Sequence, residues 1–251
     1  MSYQFRTVAR SDVGLVRDHN EDACLAHPQI LAVADGMGGH AAGEVASSTV
    51  ITTVFENLTS GFSIDWIINT INLGSKKIAT AMKKDREKQG MGTTLSLIAL
   101  AGDKALIGHV GDTRIYSFID DNLELLTQDH TYVAELVARG EITADEANYH
   151  PRRNLIMRAI DGAKSIDVDT LEIDIDLGTR FLVCSDGLSG VVSDIEIAKS
   201  LQIEDLTLAV DSLVQKAIDN GAPDNVTVVL GEVSENVSED FILIHGADVD
   251  E

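Results

Sequence analysis

Cysteine is almost missing from this 251-residue chain: Cys24 and Cys184 are the only two, and each sits inside an apolar, strand-like run. Neither has metal-ligand spacing, which argues against a zinc site or a disulfide and for two buried thiols. Basic residues are scarce as well. The 19 Lys and Arg stand against 41 Asp and Glu, for a net charge of −22, so nucleic acid and anionic membranes are not expected as partners through long-range attraction. No run of about 18 apolar residues is present to span a bilayer, and the opening MSYQFRTVARSDVG has no apolar core of a secretory signal. A cytoplasmic protein without a membrane partner is expected.

What is there is enough for one substantial core. At 251 residues and 44% hydrophobic content, the chain fits one large domain better than two small ones. That domain is read as residues 1–233, with 234–251 an acid-rich, loose extension around one apolar patch. Alternating or β-branched apolar runs predict strands near 3–9, 23–34, 94–101, 104–110, 114–119, 167–174, 180–184 and 225–232. Helical spacing marks residues 43–58 and 63–88, then 193–201 and 204–221, the last closing on Gly221. Strands that follow one another directly read as hairpins, and paired helices between strand groups argue against a simple βαβ repeat. The fold class is therefore α+β, antiparallel sheets covered by helix pairs. Residues 131–163 are helical and polar around His150-Pro151, and read as a mobile insertion beside the sheets.

The stretch LAVADGMGGHAAGEVA, residues 31–46, carries an apolar strand into Asp35, three glycines and His40 before a helix resumes. A glycine loop opening a helix can cradle phosphate, and Gly36, Gly38 and Ala41 fit the dinucleotide pattern G-x-G-x-x-A, with Glu56 near the spacing expected of a ribose ligand. A carboxylate directly before the first glycine would repel a pyrophosphate. Metal binding removes that conflict, with Asp35 as ligand and the glycines freeing a backbone carbonyl for the same ion. A plain tight turn with a capping acid is the third reading.

The other acids favour metal. Strands close on Asp35, Asp112 and Asp186, while strands begin just after Asp224 and after Glu21 and Asp22. Where neighbouring strands are antiparallel, the start of one lies beside the end of the next, so these six acids can gather on one edge. Carboxylates so gathered raise one another's pKa unless cations compensate. An all-oxygen set without paired His or Cys selects Mg2+ or Mn2+, and two such ions sharing a carboxylate suit phosphoryl hydrolysis. Arg17, one turn before Glu21, is the candidate phosphate clamp or else a solvent-facing ion-pair partner. His40 is a candidate proton donor to a leaving alkoxide or a packing residue at the helix start. Thr93, Thr94 and the TQDHT run at 127–131 are read as structural.

The blocks GLVRDHNED, VADGMGGHAAGE, MGTTLSL, HVGDTRIY, LTQDHT, LVCSDGL and PDNVTVVL, in this order from about residue 3 to 233, resemble the metal-dependent protein serine/threonine phosphatases of the PP2C (PPM) family in its compact bacterial form. The resemblance implies an α/β/β/α sandwich of two antiparallel sheets, with residues 131–163 as a flap subdomain. It also implies that a metal-activated water hydrolyses phosphoserine or phosphothreonine without a phosphoenzyme. Carried over by motif, Asp35 bridges two Mn2+ or Mg2+ ions, the Gly36 carbonyl binds the second, and Asp186 and Asp224 complete the first. Asp112 joins Asp186 at a third ion, Glu21 and Asp22 act through water, and Arg17 clamps the phosphate. Animal members of the family have a histidine directly after their Asp-Gly pair, where this chain has Met37, so His40 is assigned as the general acid only after a three-residue insertion. Arg152, Arg153 and Arg158 of the flap either contact substrate or balance local acids. The implied partners are phosphorylated proteins, a Ser/Thr kinase among them, acted on by a monomer; the alternative is an inactive relative serving as a binding scaffold.

Overall fold

A computed structural model describes residues 3–38, 42–235 and 242–244. The chain opens with strand β1 (Gln4–Asp12), the hairpin of β2 (Asp22–His27) and β3 (Ile30–Met37), and helices α1 (Ala42–Glu56) and α2 (Ile64–Lys84). A short β4 (Gly92–Thr93) leads into β5 (Leu95–Ala101), β6 (Lys104–Val110), β7 (Arg114–Ile119) and β8 (Asn122–Leu125). Helices α3 (Tyr132–Ala138) and α4 (Ala144–Asn148) precede β9 (Asp169–Asp174) and β10 (Arg180–Cys184). Then follow α5 (Asp186–Ser189), α6 (Asp194–Leu201), α7 (Leu206–Asp219), β11 (Val226–Ser234) and β12 (Ile242–Ile244).

Two antiparallel sheets result. One has the order β1-β11-β10-β7-β8; the other runs β12-β2-β3-β5-β6-β9, with β4 against β3. Three apolar layers hold them in place. Phe5, Leu31, Ile98, Phe181 and Val229 pack between the sheets; Val50, Ile67 and Ile71 of α1 and α2 cover one outer face; Leu201, Val210 and Leu213 of α6 and α7 cover the other. The layering is the α/β/β/α sandwich expected. Cys24 and Cys184 are free and buried in it, and among the described residues no helix is long and apolar enough to cross a membrane.

Four local readings change. The run 23–34 is a hairpin rather than one strand, because Pro28 cannot extend a ladder and the Gln29 N–H donates to His27 Nδ1 at 3.1 Å. The helix read to residue 88 stops at Lys84, where Asp85 turns extended and caps a 3-10 turn over Arg86–Lys88. Strand β8 is short and largely exposed, which left it without an apolar pattern. The apolar patch of the extension is not loose: β12 pairs with β2, from Ile242 opposite Ala26 to Ile244 opposite Cys24.

Candidate active site

Strand register brings the acids to one edge. Asp22 and Asp35 are direct partners across β2 and β3. In the facing sheet Cys184 pairs with both Arg114 and Val228. Asp186 is two residues past Cys184, Asp112 two before Arg114, and Asp224 two before Val226, so all three fall at the same end of adjacent strands. The antiparallel β2–β3–β5 order also excludes the dinucleotide reading of Gly36, Gly38 and Ala41, which needs a parallel βαβ unit; Ala41 itself lies outside the described residues.

The backbone around Asp35 is fully committed. Its N–H donates to Thr94 Oγ1 at 3.0 Å, and its carbonyl accepts from the Thr94 N–H at 2.9 Å and from Thr93 Oγ1 at 2.8 Å. Both threonines are thus structural, as read. Next along, the Gly36 N–H donates to the Glu21 carbonyl at 3.1 Å, and a Cβ on Gly36 would stand 2.1 Å from the Gly43 carbonyl oxygen. The glycines let α1 pass so close that the Cβ position of Gly43 is 2.6 Å from Glu21 Oε1.

Arg17 reaches the edge from the loop after β1. Gly14 turns that loop with φ +79° where a Cβ would meet the Asp224 carbonyl at 2.3 Å, and the Leu15 N–H donates to the Ala222 carbonyl at 2.9 Å. The Arg17 guanidinium then pairs with Asp224 at 2.6 Å while half its side chain, 49%, stays exposed. Sequence reasoning missed Asn225, which ties this loop to the acids. Its Oδ1 accepts from the Glu21 N–H at 2.8 Å, and its Nδ2 donates to the carbonyls of Val13 and His19, each at 2.9 Å. The only signal for it was an amide residue directly after Asp224.

Charge is concentrated here. Burial, followed by the charges of Asp186 and Asp224 on Asp22 and of Asp186 and Asp129 on Asp112, pushes these two carboxyls up to about 8, and burial with the charge of Asp224 pushes Asp186 to about 6. Burial and the charges of Asp22, Asp186, Asp112 and Asp224 hold Asp35 well above the usual carboxylate range, and burial raises Glu21. Asp22 is wholly buried, yet neither of its oxygens has a hydrogen-bond partner among the described residues, and neither does Asp186 Oδ1. Ser185 and Thr227 stand near enough to temper Asp22, but the Ser185 hydroxyl donates to the Asn225 carbonyl at 3.3 Å and the Thr227 hydroxyl pairs with Ser11 Oγ at 2.7 Å. Orphaned buried carboxylate oxygens cost folding free energy unless something binds them, and an all-oxygen set fits a hard divalent cation. Among the described residues no three His, Cys, Asp or Glu side chains close into a ready cage.

Beside the acids, Gly111 is clasped by His130: its N–H donates to His130 Nδ1 at 3.0 Å and its carbonyl accepts from the His130 N–H at 2.7 Å. Arg114 holds Asp129 through two bonds of 2.9 and 2.7 Å, so the TQDHT run fixes the Asp112 turn, as read. Of the flap arginines, Arg158 pairs with Asp169 at 2.7 Å and Arg152 lies 5.6 Å from the Tyr132 ring centre. His40 lies outside the described residues.

Comparison with known proteins gives the same picture. A family model described as protein phosphatase 2C matches residues 16–230. The serine/threonine protein phosphatase PstP of Mycobacterium tuberculosis is 43% identical over 231 residues, covering 91% of this chain and 45% of that protein. This chain therefore spans less than half the length of that relative. The serine/threonine phosphatase stp of Listeria monocytogenes is 35% identical over 236 residues, 89% of this chain and 94% of that protein. A crystal structure of the catalytic domain of PstP in complex with two manganese ions superposes with a TM-score of 0.87 at 40% identity, covering 93% of this chain and 100% of that one. With the sandwich shared and the family model matched across most of its length, the chain belongs to the protein phosphatase 2C family.

Proposed function

We propose that this protein is a divalent-metal-dependent protein serine/threonine phosphatase, acting on phosphorylated proteins in the cytoplasm as a monomer and opposing a Ser/Thr kinase. The observation that carries the reading is the edge of buried, mutually repelling carboxylates with orphaned oxygens on Asp22 and Asp186, in a chain of this family. Asp35, the Gly36 carbonyl, Asp186 and Asp224 would hold two Mn2+ or Mg2+ ions, and Asp112 with Asp186 a third. Bound there, the ions supply Lewis acidity toward a phosphoryl oxygen and lower the pKa of water.

The chain's own groups do the rest. Arg17 orients the phosphate through its planar fork, and its pairing with Asp224 keeps that fork at the acid edge. Glu21, whose N–H donates to Asn225, and Asp22, opposite Asp35, accept hydrogen bonds from water at the site. The departing serine or threonine oxygen needs a proton, and His40 is assigned as its donor from chain order. Residues 1–233 form the phosphatase unit, with 131–163 its flap and 234–251 an extension. An inactive scaffold is the lesser reading, since it leaves the carboxylate edge without a use.

The test is phosphate release from a phosphothreonine peptide with Mn2+, with Mg2+ and with EDTA. Turnover that appears with either ion and vanishes in EDTA is expected; a folded chain with no turnover in either ion would overturn the reading.

A further inference from the structure

Basic residues are rare in this chain, yet six of its 19 fall between residues 76 and 88: Lys76, Lys77, Lys83, Lys84, Arg86 and Lys88. Four of them share one stripe. The adjacent Lys76 and Lys77 are followed by Thr80, Lys84 and Lys88 at three- to four-residue spacing along α2 and the turn after it, and with Leu73, Ala81 and Asp85 they line a groove of about 530 Å³. A second hollow of about 420 Å³ adjoins it at Lys77 and runs along α1 past Thr52, Thr49, Ser48 and Val45 to Glu44.

Other duties take up only part of this charge. The helix dipole favours cations only in the last turn, which accounts for Lys83 and Lys84 but not for Lys76 and Lys77, earlier in the helix, or Lys88, beyond its end. Lys77 pairs with Glu56 at 2.7 Å and Lys88 with Asp85 at 3.7 Å; among the described residues Lys76 and Lys84 have no ion pair.

The trough also points at the site. The Met91 N–H donates to the Lys88 carbonyl at 3.3 Å, and Gly92–Thr93 pair directly with Gly36–Met37. Glu44, at the far wall, follows Gly43, whose Cβ position is 2.6 Å from Glu21 Oε1. From Leu73 to Lys84 the helical part of the stripe extends roughly 16 Å at about 1.5 Å per residue, the span of about five extended peptide residues.

We propose that this α1–α2 trough is a docking site for an acidic peptide segment of the phosphoprotein substrate, seated on Lys76, Lys84 and Lys88 while the phosphorylated residue occupies the carboxylate edge. That the segment belongs to the substrate rests on the phosphatase reading; that an acidic peptide binds does not. Charge complementarity selects the occupant. A membrane or a nucleic acid is extended and meets the whole field of a chain at −22, whereas a short peptide lying within about 10 Å of the stripe meets Lys76, Lys77, Lys84 and Lys88 against Asp85 in the groove and Glu56 beside Lys77.

Two measurements on the full chain test it. The first is fluorescence anisotropy of a labelled seven-residue Asp/Glu peptide, in EDTA so that no cation at the carboxylate edge attracts it, against a Gln/Asn control. Binding of the acidic peptide alone is expected, weakened roughly tenfold in a Lys76→Glu/Lys84→Glu/Lys88→Glu variant and in a Lys→Gln version of the same three, both verified as folded by circular dichroism. The second is KM for a phosphothreonine peptide with an acidic extension against one with a glutamine extension. The native chain is expected to favour the acidic extension by about tenfold at low salt, the triple variant to show no preference, and kcat on p-nitrophenyl phosphate to stay unchanged. Equal binding of both probes, or an unchanged acidic preference in the variants, would overturn the proposal. So would lysine-dependent association with phosphatidylserine vesicles without binding of the peptide. Peptide binding by a chain that turns over no phosphoester would support the docking site and sink the phosphatase reading alone.

Discussion

Asp35 and Asn225 show how differently residues of one site announce themselves. Asp35 ends an apolar strand and is followed by glycines, a placement with few uses other than an ion or a turn. Replacing it with Asn removes a charge while preserving shape, and is expected to lower phosphatase turnover by roughly a thousandfold, the several kcal/mol of transition-state stabilisation a metal supplies, as read by phosphate release. Asn225 carries no such signature, because its value lies in contacts with Glu21, Val13 and His19, which are more than 200 residues away in the chain. Asn225→Ala would strand one N–H and two carbonyls, and urea unfolding should show a loss of about 2–4 kcal/mol, with KM rising as the Arg17 loop loosens. Arg17→Ala, by contrast, removes an exposed group and is expected to leave stability within about 1 kcal/mol. Its effect should fall on KM for the phosphopeptide, raised roughly tenfold to a hundredfold, the worth of hydrogen bonds to a charged group.

At the scale of elements, part of the site's frame was readable because antiparallel pairing follows from hairpin spacing, as between β5 and β6, whereas the pairing of Asp22 with Asp35 was not, since both flank a run read as one strand. What could not be read was set by contacts between elements. The β2–β3 turn was hidden within a continuous apolar run, and β8, mostly exposed, has no buried face to imprint a pattern. The close passage of β3 and α1 is another such contact. Gly36→Ala would place a methyl 2.1 Å from a backbone oxygen that no rotamer change can move, so the variant is expected to lose about 3 kcal/mol or more by urea unfolding and to displace Glu21. Native-like stability in that variant would mean that β3 and α1 are not in contact there.

For the whole molecule, the cost of the acid edge should appear as a pH dependence of stability without metal. Folding raises the carboxyls of Asp22 and Asp112 to about 8 and Asp186 to about 6, above an unfolded value of about 3.9. The folded state therefore binds these protons more tightly than the unfolded one. Their contribution favours folding fully below about pH 4 and is lost as pH rises through about 6 and then about 8. In EDTA, the melting temperature is expected to fall between pH 5 and pH 8. Saturating Mn2+ should raise it most at the alkaline end, because cation binding favours the ionised carboxylates.

The central claim is that the carboxylate edge exists to hold catalytic cations, and Mn2+ binding tests it most directly. Isothermal titration of Mn2+ into the metal-free native chain and into Asp35→Asn, with phosphothreonine peptide turnover read on the same samples, joins site and activity. The native chain is expected to bind at least two Mn2+ and turn over, and the variant to lose affinity and turnover together. A variant that still folds, binds Mn2+ as the native chain does and releases phosphate at the native rate would contradict it.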